Sequence, residues 1–217
     1  MKAKNLKLLL IFLLLASFVF SGCVVNNKLI TKNMEKKSYR VAEIIAFQGF
    51  QDQEYSKIKN VLEKFGAKIE IFSTKIGKAQ SKSGELTVDI VHTLDDLNVD
   101  LYDAIIFIGG PGARTFFDNP TAHQIAKTAI NKNKILGAIC IAPAILANAG
   151  VLNGQNATIW TDPSDKESMI KYLTRAGAVF IDTEVVISGN IITANGPQAS
   201  EEFGATISKA LSTRRGL

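Results

Sequence analysis

Cysteine and histidine are scarce in this chain, which contains two of each among its 217 residues. They form no Cys/His spacing of the zinc-binding kind, and the glycine fingerprints of phosphate and dinucleotide sites are also missing. We therefore expect neither a metal nor a cofactor. His92 lies in or just after a predicted strand and His123 on the surface of a predicted helix, so we do not expect either to be catalytic within its own subunit.

A concentrated positive charge is absent from most of the chain. The formal charge of +5 comes from 25 lysines and arginines against 20 aspartates and glutamates. Three of the lysines lie in the first seven residues, and the remaining 22 basic side chains are nearly balanced by the 20 acidic ones. A net charge of about +2 without a basic patch argues against nucleic acid as a partner. Hydrophobic residues make up 47% of the chain, which predicts a packed core.

Acidic residues are absent from residues 1–22, which begin with lysines and continue into an unbroken apolar run, LLLIFLLLASFVF, over residues 8–20. The run is shorter than the roughly 20 residues that a membrane-spanning helix needs, and it has the length of a signal-peptide core. The following tetrapeptide Phe20–Cys23 (FSGC) resembles the lipobox of bacterial lipoproteins, with Phe20 in place of the usual leucine. An ordinary signal peptide with an incidental cysteine, or an uncleaved anchor, is the alternative.

The lipobox predicts how the start of the chain is processed. Residues 1–22 are a signal peptide, Cys23 receives a lipid and becomes the new N-terminus, and residues 23–38 tether the folded part to the membrane. A flexible chain of that length reaches on the order of 20 Å. We therefore expect a lipid-anchored protein close to the bilayer, facing the outside or the periplasm. Cys140 is then the only free thiol, and no intramolecular disulfide forms.

Residues 39–217 form one predicted domain in which strands and helices alternate. The predicted strands are short and rich in branched apolar side chains, and they cover residues 40–47, 67–74, 84–91, 104–108, 135–139, 184–188 and 191–194. The predicted helices cover residues 54–65, 121–131, 142–149, 164–175 and a last segment from about 200. This alternation is typical of an α/β fold with a mostly parallel sheet covered by helices on both faces.

Cys140 lies at a strand-to-helix junction with almost no loop, in the sequence KILGAICIAPAILAN of residues 134–148. So sharp a turn strains its central residue and needs small neighbours, which Ala138 and Ala142 provide. Pro143 falls in the first turn of the helix, where its missing N–H costs nothing. Because the thiol faces the positive end of a helix dipole, we expect a lowered thiol pKa. The alternative is a buried structural cysteine.

Glycines follow the predicted strand at residues 104–108, in the sequence GGPG of residues 109–112. Backbone N–H groups of such a loop can point into the crevice beside the carboxyl ends of the strands, where open α/β sheets bind ligands. The N–H groups of Gly110 and Ile141 are candidate donors of an oxyanion hole for a carbonyl attacked by Cys140. The alternative is a tight turn without a chemical role.

Three segments, taken in order, resemble the ThiJ/PfpI family, within the class I glutamine-amidotransferase-like superfamily. They are residues 103–112 (DAIIFIGGPG), 137–140 (GAIC) and 190–197 (NIITANGP), and the resemblance covers about residues 39–212. It implies a flavodoxin-like three-layer sandwich, with a mostly parallel sheet between helices and a nucleophile elbow at Cys140. The resemblance also implies a homodimer as one alternative, in which a histidine of a partner chain completes the site.

The family pattern contains an acid after the first strand that contacts the nucleophilic cysteine. Glu54 occupies this position, at the start of the first predicted helix. A carboxyl group beside a thiol is protonated or shares a proton with it, so Glu54 would relay protons to and from Cys140. The alternative for Glu54 is a solvated acid favoured by the helix dipole.

Other residues fill the two positions at which family members carry a histidine. Ile141 directly follows the cysteine, where many members have histidine, and Trp160 stands where other members supply one later in the chain. A Cys-His-Glu triad is therefore not supported. Asn195 also stands where many relatives have arginine, which weakens any inherited expectation of anionic substrates.

The resemblance implies a Cys-dependent hydrolase, deglycase or glyoxalase-type enzyme that acts on small carbonyl compounds or their adducts. Cys140 would be the nucleophile, Glu54 its proton partner, and the backbone of Gly110 and Ile141 the oxyanion donors. Without a histidine, general base catalysis worth about 10²–10⁴-fold is missing, so we expect weak or narrow activity. Two alternatives stay open: a cysteine redox or stress sensor, whose sulfenate no second cysteine would resolve, and a non-catalytic binding module.

Overall fold

The computed structural model of the protein describes residues 38–160 and 166–214. They belong to one compact unit, Ser38–Leu217. The predicted signal peptide, the predicted lipid acceptor Cys23 and most of the predicted tether lie outside the described residues. Within the described ranges, no helix is long and apolar enough to cross a membrane.

A seven-stranded sheet forms the centre of the domain. The described strands are β1 (Arg40–Ile44), β2 (Gln48–Phe50), β3 (Lys68–Ser73), β4 (Gly77–Ser81), β5 (Thr87–Ile90), β6 (His92–Thr93), β7 (Ala104–Phe107), β8 (Ile135–Ile139), β9 (Asn156–Ala157), β10 (Val179–Phe180), β11 (Val185–Ser188) and β12 (Ile191–Ala194). The order in the central sheet is β11-β12-β8-β7-β1-β3-β6. Neighbours pair in parallel, except that β11 pairs antiparallel with β12. The predicted mostly parallel sheet is therefore confirmed.

Helices cover both faces of this sheet. The described α-helices are α1 (Asp52–Phe65), α2 (Pro120–Asn131), α3 (Pro143–Asn148), α4 (Lys166–Arg175) and α5 (Ser200–Arg214). Helices α1 and α5 pack together on one face, while α2 and α3 pack together on the other. This arrangement confirms the predicted flavodoxin-like three-layer α/β sandwich.

The central strands are buried on both sides, as expected for a parallel sheet between two helix layers. Every residue of β7 and β8 is buried, and these strands consist of apolar residues and one glycine. Glycine at position 137 lets α5 approach the sheet, because a Cβ there would lie 2.9 Å from the ring of Phe203. An ionisable residue, Glu43, is also fully buried within β1.

Most predicted elements are present, with ends that differ by a few residues. The first predicted strand stops at Ile44, because the chain turns into the short strand β2 at Gln48. The strand predicted at residues 84–91 is the second arm of a hairpin, β4–β5. The pattern of β4, GKAQS, is too polar to be recognised as a strand. The start of the helix predicted at residue 164 lies outside the described residues.

Three central strands end at the same edge of the sheet. Ile44 of β1 is level with Phe107 of β7, and Phe107 is level with Ala138 of β8. The chain therefore leaves β1 towards the N-terminus of α1, leaves β7 into the glycine loop, and leaves β8 at Cys140, all at one edge. The carboxyl edge of a parallel sheet is where α/β proteins bind ligands.

Candidate active site

Cys140 occupies a sharp turn between β8 and α3 and has a backbone conformation that non-glycine residues seldom adopt. Its φ is 63°, in the left-handed region, which costs an L-residue roughly 1–2 kcal/mol. Two backbone hydrogen bonds hold it there: the Cys140 N–H donates to Ala194 O at 2.9 Å, and the Trp160 N–H donates to Cys140 O at 2.8 Å. The neighbours Ala138 and Ala142 are fully buried. The predicted elbow is therefore present.

Glu54 reaches the same point from the first turn of α1. Gln51 caps this helix, since its side chain accepts a hydrogen bond from the Gln53 N–H at 2.7 Å. The side chain of Glu54 is fully buried, and its Oε2 accepts a hydrogen bond from the Gly109 N–H at 2.9 Å. Its carboxyl group lies beside the thiol of Cys140, close enough for each group to shift the pKa of the other. The alternative of a solvated first-turn acid is therefore wrong.

The glycine loop closes over the cysteine and the glutamate. A Cβ on Gly109 would lie 2.5 Å from the Cβ of Cys140 and 2.7 Å from Oε2 of Glu54, so only glycine fits. Gly110 has a φ of 98°, and a Cβ there would lie 2.5 Å from the backbone N of Gln51. The backbone N–H groups of Gly110 and Ile141 interact with the Cys140 sulfur. The loop is therefore a tight turn and also a source of hydrogen-bond donors at the thiol.

Burial dominates the titration of the two side chains. It raises the pKa of Glu54 to about 7, against the opposing effects of the Cys140 thiol, the Gly109 N–H and the charge of Lys82. Burial and the adjacent Glu54 carboxylate also raise the pKa of Cys140 well above its ordinary value, although the N–H groups of Gly110 and Ile141 act in the opposite direction. The predicted lowering of the thiol pKa is therefore wrong: the dipole of the six-residue helix α3 is outweighed by burial and by a neighbouring negative charge.

The pair can nevertheless form a thiolate by an internal proton transfer. Moving the proton from Cys140 to the carboxylate of Glu54 leaves the net charge of the buried pair unchanged, so no additional charge is desolvated. The N–H groups of Gly110 and Ile141 then stabilise the negative sulfur. A proton transfer within the pair is therefore a route to a thiolate that buries no additional charge.

Cys140 opens onto a cavity of about 380 Å³, the size of a small-molecule site. The lining combines polar, cationic and apolar groups: Gln51, Lys82, Gly110, Pro111, Arg114, Cys140, Ile141, Trp160, Met169 and Pro197. Cys140 is 7% exposed and lines this cavity, so a small reagent can reach it from there. A buried structural cysteine would not face such an opening.

Comparison with known proteins identifies the family. The model described as the DJ-1/PfpI family matches residues 39–210. The chain belongs to the DJ-1/PfpI family. The ThiJ/PfpI resemblance predicted from residues 103–112, 137–140 and 190–197 is thereby confirmed.

Proteins similar to this DJ-1/PfpI chain match most of its domain, and one matches nearly the whole chain. An uncharacterised protein of Methanocaldococcus jannaschii is 34% identical over 95% of this chain and 98% of its own length. A deglycase of Pyrococcus abyssi is 32% identical over 71% of this chain and 89% of its own length. The crystal structure of a ThiJ/PfpI domain protein from Brachyspira murdochii, 32% identical, has a TM-score of 0.75 and covers 82% of this chain and 98% of that one.

Neither histidine of this DJ-1/PfpI protein lines the cavity. His92 lies in β6, at the edge of the sheet, and its ring stacks on Phe72. His123 lies in α2, where its Nε2 is 2.6 Å from Phe117 O. In the described part of the chain, no histidine therefore joins Cys140 and Glu54.

Several cavity residues were missed by the sequence analysis. Gln51 carries a signal, because it stands at a helix N-cap next to the family's acid position. Lys82, Arg114 and Met169 carry none, since they come from a hairpin, a 3₁₀ turn and α4, which are distant in sequence. Among residues 38–160 and 166–214, no group of three or more His, Cys, Asp or Glu is arranged to hold a metal ion.

Proposed function

We propose that this protein is a Cys-dependent enzyme of the deglycase or glyoxalase type, a hydrolase-like catalyst acting on small carbonyl compounds or their adducts. One observation carries the proposal: the thiol of Cys140 and the buried carboxyl of Glu54 lie side by side at the end of an open cavity, close to the backbone N–H groups of Gly110 and Ile141. A deglycase among the relatives supports the same reaction class.

In the proposed reaction, Cys140 gives its proton to Glu54, and the thiolate attacks the aldehyde carbon of a 2-oxoaldehyde. A C–S bond forms, the carbonyl π pair moves onto oxygen, and the proton from Glu54 moves to that oxygen, which gives a hemithioacetal. The N–H groups of Gly110 and Ile141 are the candidate donors to the negative oxygen.

Glu54 then takes the proton from the former aldehyde carbon and returns it to the neighbouring carbon, while the hydroxyl proton passes to the neighbouring oxygen. This rearrangement leaves a thioester on Cys140. Water hydrolyses the thioester to a 2-hydroxy acid and restores the thiol. Glu54 carries the proton that leaves one carbon and returns to the next, so this transfer needs no histidine, and none lines the described cavity.

Methylglyoxal consumption together with lactate formation tests this function. We expect turnover by the wild type and a loss of about 10³-fold or more in Cys140→Ser, because the nucleophile is removed. His123→Gln is the control and should retain activity within about twofold, since His123 does not line the cavity. Absence of turnover in the wild type would refute the proposal, and peroxide oxidation of Cys140 without turnover would select a redox sensor.

We also propose that Cys23 anchors the protein to a membrane and faces it to the outside or the periplasm. The support is the order of lysines, apolar run and lipobox in residues 1–23. Expression of the full chain in a bacterium with labelled fatty acid should label the wild type but not Cys23→Ala, and the variant should leave the membrane fraction. Equal labelling of both proteins would refute the anchor.

A further inference from the structure

We propose that the cavity above Cys140 selects carbonyl substrates that carry an anionic group, a carboxylate or a phosphate, and that Lys82 and Arg114 bind this group. The inference rests on the proposed function, because it names the substrate class of the same site. Both cationic side chains line the cavity together with Cys140, and none of the described residues that line it is acidic. The charge of the lining is therefore positive, which attracts anions.

Lys82 follows β4 and is fixed to the segment that precedes α1. Its backbone N–H donates to Phe50 O at 2.8 Å, next to the helix cap at Gln51. Its side chain is exposed, while its charge acts on the buried Glu54, whose pKa it lowers. The backbone of Lys82 is thus fixed beside the cavity, and its ammonium group is within electrostatic range of Glu54.

Arg114 comes from a different element, the 3₁₀ turn Pro111–Phe116 that continues the glycine loop. Its guanidinium lies over the ring of Phe117, 5.6 Å from the centroid, which positions the charge without neutralising it. Its side chain is exposed at the cavity. A guanidinium binds carboxylates and phosphates through paired N–H donors.

The two cations are not neutralised by ion pairs with carboxylates of the described residues. Asp52, which is close to Lys82 in the fold because it accepts a hydrogen bond from Ser83, does not line the cavity. The other wall of the cavity is apolar and includes Trp160 and Met169. The arrangement suits a short substrate with an apolar middle, a carbonyl at Cys140 and a negative group at the mouth.

These cations also bear on the expectation drawn from Asn195. The missing arginine at that position argued against anionic substrates, but the positive charge at this cavity comes from other elements. Asn195 instead accepts a hydrogen bond from Gln198 at 3.0 Å. We therefore place anion selection on Lys82 and Arg114.

Alkylation of Cys140 by iodoacetate and by iodoacetamide tests the inference without any turnover. The two reagents have nearly the same size and differ in one negative charge. We expect the ratio of the iodoacetate rate to the iodoacetamide rate to fall roughly tenfold in the double variant Lys82→Gln/Arg114→Gln, and less in each single variant. Lys209→Gln, an exposed lysine on α5 away from the cavity, is the matched control and should leave the ratio unchanged.

Protection experiments distinguish the two anion classes. Inorganic phosphate or acetate, each at the same ionic strength set with chloride, should slow the reaction of iodoacetamide with wild-type Cys140 and not with the double variant. Stronger protection by phosphate assigns a phosphate group, and stronger protection by acetate a carboxylate. A rate ratio within twofold of wild type in the folded double variant would overturn the inference. Selective alkylation in a protein that does not consume methylglyoxal would leave anion selection standing while the proposed activity fails.

Discussion

The side chains of Cys140 and Glu54 lose their protons as a coupled pair, and this coupling decides what each can do. Burial by itself raises the pKa of both groups and so disfavours their ionised forms. Because Glu54 titrates at about 7, it is near its own pKa at neutral pH and can both accept and return a proton. A thiol that is protonated at rest is protected from oxidation, and it becomes a nucleophile only when the carboxylate takes its proton.

Replacing Glu54 by glutamine should separate thiol reactivity from turnover. Glu54→Gln removes the carboxylate that raises the pKa of Cys140, so the midpoint of iodoacetamide alkylation should shift to lower pH. Turnover of methylglyoxal should nevertheless fall by about 10²–10⁴-fold, because an amide cannot relay protons. A pH series of alkylation rates beside a steady-state assay measures both effects. A shift of the alkylation midpoint to higher pH would contradict the proposed coupling.

At the scale of secondary structure, the site depends on how closely the glycine loop, the elbow and α1 approach one another. The loop after β7 contacts the first turn of α1, because the Gln51 N–H donates to Gly109 O at 3.0 Å. A side chain on the loop would push α1 away from Cys140. The close approach of Glu54 to the thiol therefore depends on the absence of a Cβ at Gly109 and Gly110.

Two glycines with nearly the same φ but a different ψ, 163° at Gly110 and 19° at Gly66, provide a test of this approach. Gly110 and Gly66 have φ values of 98° and 96°, but a Cβ on Gly66 meets no atom within 4 Å, whereas a Cβ on Gly110 lies 2.5 Å from Gln51 N. Gly66→Ala should cost about 1 kcal/mol of the free energy of unfolding, from the φ alone. Gly110→Ala should cost more than about 3 kcal/mol and reduce alkylation of Cys140. Urea unfolding of both variants measures the difference, and equal costs would show that crowding is unimportant.

At the scale of the whole molecule, the carboxyl of Glu43 makes stability depend on pH. It is fully buried in β1, and neither of its oxygens has a hydrogen-bond partner among the described residues. Burial raises its pKa from 4.5 to about 8, with Lys59 and Glu63 on α1 acting in opposite directions. In the unfolded chain Glu43 ionises near its ordinary pKa, so the folded state binds the extra proton between the two values.

The free energy of unfolding should therefore fall as pH rises from about 4.5 to about 8. The contribution of Glu43 is of the order of 3–5 kcal/mol, lost by the time pH passes the folded-state pKa. Glu54 contributes in the same direction up to about pH 7. Glu43→Gln should flatten the slope between pH 7 and 8, where Glu54 no longer contributes, when measured by urea unfolding at several pH values. Glu85→Gln, at an exposed hairpin position, is the control and should keep the wild-type slope.

Local sequence determines much of the fold because each element carries its own signals. The apolar branched runs at β7 and β8 specify buried parallel strands, and Gly66 ends α1 where the pattern predicts. The elbow is equally local, since Cys140 lies between a strand and a helix with alanines on either side. The family motif identifies Glu54 as a site residue, whereas composition and periodicity alone do not distinguish it from a surface acid.

Tertiary structure alone decides the protonation of the site and the charge of its cavity. The direction of the Cys140 pKa shift follows from burial and from the Glu54 carboxylate, which is 86 positions away in sequence and can be placed beside the thiol only by the folded sheet. Lys82 and Arg114 meet at one cavity because a hairpin and a 3₁₀ turn end at the same edge of that sheet. Sequence patterns encode elements through neighbours a few residues apart, whereas desolvation and Coulomb interactions depend on distances that exist only after the chain has folded.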